Sequence, residues 1–86
     1  MTMTTILRYM NRNDPNGEYD DAIAIAEGTD TAKQAEIARE VMTILDRWIG
    51  DLDGDDRMIS RLQEMFYFCS FYAAERERKS SELLLR

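Results

Sequence analysis

Between positions 31 and 49 the chain sorts its residues onto two faces of a helix. At about 100° per residue, Ile37, Ala38, Val41, Met42, Ile44, Leu45, Trp48 and Ile49 fall within an arc of roughly 160°. Glu36, Arg39, Glu40, Thr43, Asp46 and Arg47 fill the remainder. A stripe of this kind has to be buried, so the segment is expected to be an amphipathic helix with one face in a core. Thr29, Asp30 and Thr31 offer side-chain oxygens for its first N–H groups. Gly50 is the natural stop.

The polar run Asp51-Leu52-Asp53-Gly54-Asp55-Asp56 follows. Asp53, Asp55 or Asp56 suits the cap of a second helix and meets its positive end favourably. A connection this short makes its two helices antiparallel neighbours. The second helix opens with Met58, Ile59, Leu62, Met65, Phe66 and Cys69 on one stripe. Arg57, Ser60, Arg61, Gln63 and Glu64 lie opposite. The expected frame is an antiparallel helical hairpin spanning about 31–49 and 55–80.

The first thirty residues read two ways. Residues 4–10 suit a strand, residues 11–17 form a turn cluster around Pro15 and Gly17, and Ile23 and Ile25 alternate with alanines. Against a second strand, Asp20 and Asp21 sit badly in a sheet and Ala is a weak strand former. Two acids, an Ala-rich run and Gly28 fit the first turn, body and cap of a short helix better. The expected class is therefore all-α with a short N-terminal helical segment. The alternative is α+β with an N-terminal β-hairpin. Either way, 86 residues make a single small domain at the lower limit for one core.

Beyond Met65 the second helix stops being one-sided. Five of the chain's eight aromatic residues fall in positions 65–74. On a helical projection Tyr67 lies diametrically opposite Met58 and Phe71 only a little further round. Phe68 falls on the flank, and Tyr72 at the edge of the core stripe. A helix that is apolar all round has to be covered all round. Each ring is able to bury ~150–250 Å², more than an outer face usually leaves open. Two covers are available. The N-terminal segment offers Ile6, Leu7, Tyr9, Met10, Ile23 and Ile25; otherwise a second copy or another protein lies there. Tyr67, Phe68, Phe71 and Tyr72 are thus candidate partner-binding residues. After Ala74, Arg76 and Glu77 take over the core stripe, so the helix is expected to run past the core. Leu83-Leu84-Leu85 then packs back, frays or docks on a neighbour.

Charge sets the kind of partner. The net charge is −6, and residues 13–56 carry thirteen acids against three bases. Glu18, Asp20, Asp21, Asp51, Asp53, Asp55 and Asp56 form a candidate acidic patch. It repels nucleic acid and anionic membrane surfaces and attracts a basic protein. The start lacks a signal-peptide pattern, no run approaches the ~20 apolar residues of a bilayer span, and Cys69 is the sole cysteine. A cytoplasmic, membrane-free protein is expected.

Catalytic equipment is sparse. There is no histidine, the commonest general base and metal ligand. Cys69 sits on the core stripe beside Phe66 and reads as a small buried apolar residue. Asp51, Asp53 and Asp55 mimic the first three ligands of an EF-hand. However, Asp56 stands where its glycine belongs, and Leu62 where its bidentate glutamate belongs. An acidic capping turn is the better reading. No metal, no cofactor and no enzymatic activity are expected.

In size, acidity and lack of catalytic groups the chain resembles the small counter-defence proteins of phages, such as anti-CRISPRs. That resemblance, one of overall character that carries no specific residues, implies a stoichiometric protein inhibitor of a host defence complex in the host cytoplasm; the acidic surface and aromatic helix face are the surfaces the residues themselves offer for it. Separately, Ser60-Arg61-Leu62-Gln63-Glu64, the aromatics after it and Ala73-Ala74 are similar to the last helix of phage anti-CBASS cyclic-nucleotide sponges. Ser70 departs from that pattern, where an Asn is expected. This second likeness implies a homo-oligomer with Arg57 and Arg61 meeting phosphates. A structural adaptor or chaperone subunit is the remaining reading.

Overall fold

A computed structural model describes residues 1–14, 16–28, 30–52 and 54–84, with side chains through residue 82. Pro15, Thr29, Asp53 and the side chains of the C-terminal leucines lie outside the described residues. The described residues form four helices: α1 (Met3–Asn13), α2 (Asp20–Glu27), α3 (Thr31–Asp51) and α4 (Asp56–Leu84). There is no strand among the described residues. The protein is all-helical, and its first thirty residues form two helices in place of one short segment.

The strand-like look of residues 4–10 gives way to a stronger signal. Met3, Ile6, Leu7 and Met10 recur at three- and four-residue steps, and all four are buried. That spacing puts them on one face of a helix and on alternate faces of a strand. Thr2 starts the helix by accepting the Thr5 N–H at 3.1 Å. At the far end Gly17 takes a φ of 70°, a left-handed turn that glycine adopts without strain.

α2 begins with Asp20 and Asp21, whose charges complement its N-terminal dipole. Its other end is tied down from outside. Gln34, 4% exposed, donates from Nε2 to the carbonyls of Gly28 at 2.6 Å and Ile25 at 3.2 Å. Carbonyls at a helix C-terminus have no partner within the helix, so this one amide fastens α2 to the first turn of α3.

α3 starts at Asp30, whose carboxylate accepts the Lys33 N–H at 3.1 Å. It continues through Gly50 to Asp51, so Gly50 is a helical residue, not the stop. The helix ends at Leu52, whose N–H reaches the Trp48 carbonyl at 3.0 Å. Gly54, with φ 83°, makes the left-handed step that turns the chain. Asp55 then accepts the Met58 N–H at 3.1 Å, and α4 begins at Asp56. Both long helices outrun the expected bounds.

α3 and α4 pack along each other through Ile37, Ala38, Val41 and Leu45 on one side and Leu62, Met65, Cys69 and Ala73 on the other. Ala73 is fully buried, and Glu77 receives Arg39 of α3 at 2.8 Å. Among the described side chains Ala73 is the last buried residue of α4, and the Arg39–Glu77 pair beyond it is half exposed, so the helix runs past the core as its sequence suggested. α1 lies over the seam. Met3 meets Cys69 sulfur to sulfur at 3.5 Å, and the Tyr9 hydroxyl reaches the Met58 sulfur at 3.5 Å. α1 thus runs along α4 in the opposite direction. α2 is hung on α1 by Arg8–Glu27 at 3.2 Å and Asn11–Asp20 at 2.9 Å.

Replacing Gln34 by Ala removes the donor that ties the Gly28 and Ile25 carbonyls to α3. The expected cost is about 0.5–1.5 kcal/mol, which lowers the melting temperature by about 4–8 °C per kcal/mol in a chain this small. Thermal unfolding followed by circular dichroism checks the loss. Hydrogen exchange should place the first opening in α2.

Candidate functional site

The four candidate aromatics on α4 divide into two pairs. Tyr67 is 61% exposed and Phe71 77% exposed, one turn apart on the outer face. Phe68 and Tyr72 are half-buried against the core, their ring centroids 6.1 Å apart. The guanidinium of Arg76 sits 4.7 Å above the Tyr72 ring, close enough for a cation–π contact that holds both side chains down. Phe66, also half-buried, meets the edge of Tyr67 at 5.9 Å and 81°. That contact fixes one exposed ring against the helix.

The N-terminal residues offered as a cover go elsewhere. Ile6, Leu7 and Met10 are fully buried, but over the α3–α4 seam and not over Tyr67 and Phe71. Tyr9 packs near Met58 and under the Arg61 guanidinium, 5.5 Å from its ring. Ile23 and Ile25 are half-buried in α2. Among the described residues nothing covers the outer face of α4.

The acids hold different positions. Asp55 is engaged as the cap of α4, and Asp20 is engaged by Asn11. Asp21, Asp51 and Asp56 are exposed, and Asp53 lies outside the described residues. Glu18 is exposed, and Asp14 beside it raises its carboxyl above the ordinary range, first through a shared hydrogen bond and then through like charge. Burial, then Glu18 and Asp14, raise the Tyr19 phenol, with Arg47 of α3 opposing them. The loop acids therefore stand near the last turns of α3.

An open, mainly apolar crevice of ≈ 290 Å³ lies at that end, lined by Tyr9, Asn13, Trp48, Asp51, Leu52, Met58 and Leu62. Sequence reasoning missed it because it needs α1 laid across the turn between α3 and α4. Arg57 and Arg61, the candidate phosphate ligands, share a recess of ≈ 250 Å³ with Asp55 and Met58. The carboxylate there competes with any phosphate.

No three His, Cys, Asp or Glu side chains among the described residues gather closely enough to hold a metal ion. Cys69 is fully buried, and burial pushes its thiol up to about 12. No described helix is long and apolar enough to cross a membrane. No family model, curated protein or solved structure matches the chain.

The exposed and buried sides of α4 should answer differently to substitution. Phe71→Ser should change stability by no more than about 0.5 kcal/mol, as for any exposed site free of special features. Met65→Ala, 2% exposed in the wild type, should cost about 2–5 kcal/mol. Chemical denaturation of the two variants measures both. Cys69 should resist a thiol reagent at about pH 8 until the chain unfolds. The folded chain keeps this proton where the unfolded chain, with a pKa of 9.0, loses it. Its stability advantage over Cys69→Ala should therefore shrink as pH rises from 9.0 toward about 12.

Proposed function

We propose that this chain is a non-enzymatic binding protein of the cytoplasm, a stoichiometric inhibitor of a larger host defence complex. The observation that carries the reading is the pair Tyr67 and Phe71, exposed side by side on the longest helix. Large aromatic groups left open on a folded monomer mark protein contact. Their frame is an antiparallel hairpin of α3 and α4, turned at Gly54 and tied by Arg39–Glu77. A rigid helix holds the rings in place, so little conformational freedom is lost on docking.

The acids give the second half of the reading. They draw a basic target by long-range attraction, which raises the rate of encounter more than the final affinity. The one cysteine is buried with its thiol pushed up to about 12, and the action is read as occupation of a surface. This matches the character of small acidic phage counter-defence proteins.

Expression in a bacterial host whose RNA-guided defence blocks a phage should restore plaque formation, with the target subunit co-purifying in equimolar amount. Glu18→Lys, Asp51→Lys and Asp56→Lys together avoid the engaged acids Asp20 and Asp55. They should slow association about tenfold or more at low salt, and the gap should close at high salt. If plaques return while the charge-reversed chain binds at the wild-type rate, the acidic patch has no part in recognition. If no defence subunit co-purifies, the inhibitor reading is wrong.

A further inference from the structure

The exposed rings belong to a longer pattern. Ser60, Glu64, Tyr67, Phe71, Ala74 and Arg78 follow one another at steps of four, three, four, three and four residues, and all six are exposed. Alternating four and three is the a/d spacing by which one α-helix supercoils around another, here apolar at Tyr67, Phe71 and Ala74 and polar at its ends. At ~1.5 Å per residue the seam is about 27 Å long. On the opposite side of α4, Leu62, Met65, Cys69 and Ala73 are already buried against α3 and α1. The helix thus carries two packing faces, one filled and one open.

We propose that the open face is filled by α4 of a second copy of this chain, running antiparallel to the first. The inference rests on the reading of this face as a docking surface and names its occupant. The order of residues along the seam makes the case. Turned end for end, the seam still has Tyr67 and Phe71 at its centre, so the aromatics of two copies meet each other. Glu64 then faces Ala74 of the other copy, one turn from that copy's Arg78. Opposite charge meets opposite charge, and a bulky chain meets a small one. A parallel pairing instead sets Glu64 against Glu64 and Arg78 against Arg78. Self-complementarity under a two-fold rotation is what a symmetric dimer requires.

Overall charge points to the same helix. Residues 57–86 hold six basic residues against four glutamates, whereas residues 13–56 hold thirteen acids against three bases. Two chains of net charge −6 repel at most approaches, and α4 is where they approach with least repulsion. The internal ion pair of Arg78 with Glu82 at 3.4 Å is exposed on both sides, so exchanging it for Glu64 of the partner costs little. A single helix pair of this length belongs among small interfaces, below ~1,200 Å². Association in the micromolar range is expected. In the dimer the exposed acids Glu18, Asp21, Asp51 and Asp56 stay outside the seam, so a foreign target meets them first and reaches the aromatic face when the two copies part.

The test is sedimentation equilibrium of the purified full chain from about 1 µM to about 500 µM. The expected result is a rise from the 10.1 kDa monomer toward twice that mass. Phe71→Glu should abolish the rise while leaving the helical spectrum unchanged. Glu64→Arg alone and Arg78→Glu alone should each weaken the dimer by about tenfold, since two symmetric contacts are lost. The double exchange Glu64→Arg, Arg78→Glu should restore it. Failure of that rescue overturns the antiparallel pairing. A wild-type chain that stays monomeric throughout, yet binds an anilinonaphthalene sulfonate dye in a Phe71-dependent way, overturns the second copy but leaves the docking surface intact. A dimer indifferent to Phe71→Glu overturns both.

Discussion

Everything on the outside of this molecule follows from where α1 comes to rest. Its buried residues, Met3, Ile6, Leu7 and Met10, close the groove between α3 and α4. The groove is lined by Leu45, Leu62, Met65 and Cys69, all essentially inaccessible to water. At about 1.5–3 kcal/mol for each large side chain buried, this is the largest gain open to an eleven-residue helix. An alternative position over Tyr67 and Phe71 would leave the groove itself open. The N-terminal segment can cover one face of α4 and not both, and the deeper one wins.

This choice explains the unequal fate of the α4 aromatics. Phe66, Phe68 and Tyr72 flank the buried stripe and share in its cover. Tyr67 and Phe71 stand furthest from it, and the molecule is too narrow to reach around. Its extents are 49 × 24 × 19 Å, close to the length of α4 and little more than two helix diameters across. A fifth helix would be needed to enclose the remaining side.

Much of this was legible in the residues. Strict separation of apolar and charged positions over 31–49 gave α3 its core side: Ile37, Ala38, Val41 and Leu45 are buried, Met42, Ile44, Trp48 and Ile49 half-buried, and Ala35, outside that stripe, is buried as well. The capping roles of Asp30 and Asp55 were among those their positions suggested. The N-terminal third was harder. Thr4, Thr5 and Ile6 are β-branched and favour a strand locally, while the burial pattern of Met3, Ile6, Leu7 and Met10 demands a helix; tertiary packing overrode propensity. Gln34 gave no signal at all, because its partners are carbonyls of another helix and exist only once α2 has folded beside α3. Gly50 misled because a glycine near a helix end costs only about 1 kcal/mol, less than the last contacts of Trp48 and Leu52 return.

The separation of charge from apolar surface has a physical logic of its own. An acidic chain holds its copies apart by repulsion, and an exposed aromatic face undermines that by inviting contact. Placing both on one surface would set them against each other. Here the aromatic face lies on α4, whose own charges cancel, with Arg57, Arg61, Arg76, Arg78 and Lys79 offsetting Asp56 and four glutamates. The unbalanced acids lie in α2, with Asp20, Asp21 and Glu27 and no base, and in the connections, with Asp14, Glu18, Asp30 and Asp55. Contact is therefore permitted along α4 and discouraged elsewhere between like chains. A basic target meets the reverse preference, drawn first to the acids. One sequence thus steers two kinds of encounter, and because both end on Tyr67 and Phe71 the weak contact between copies has to give way before a target takes the aromatic face.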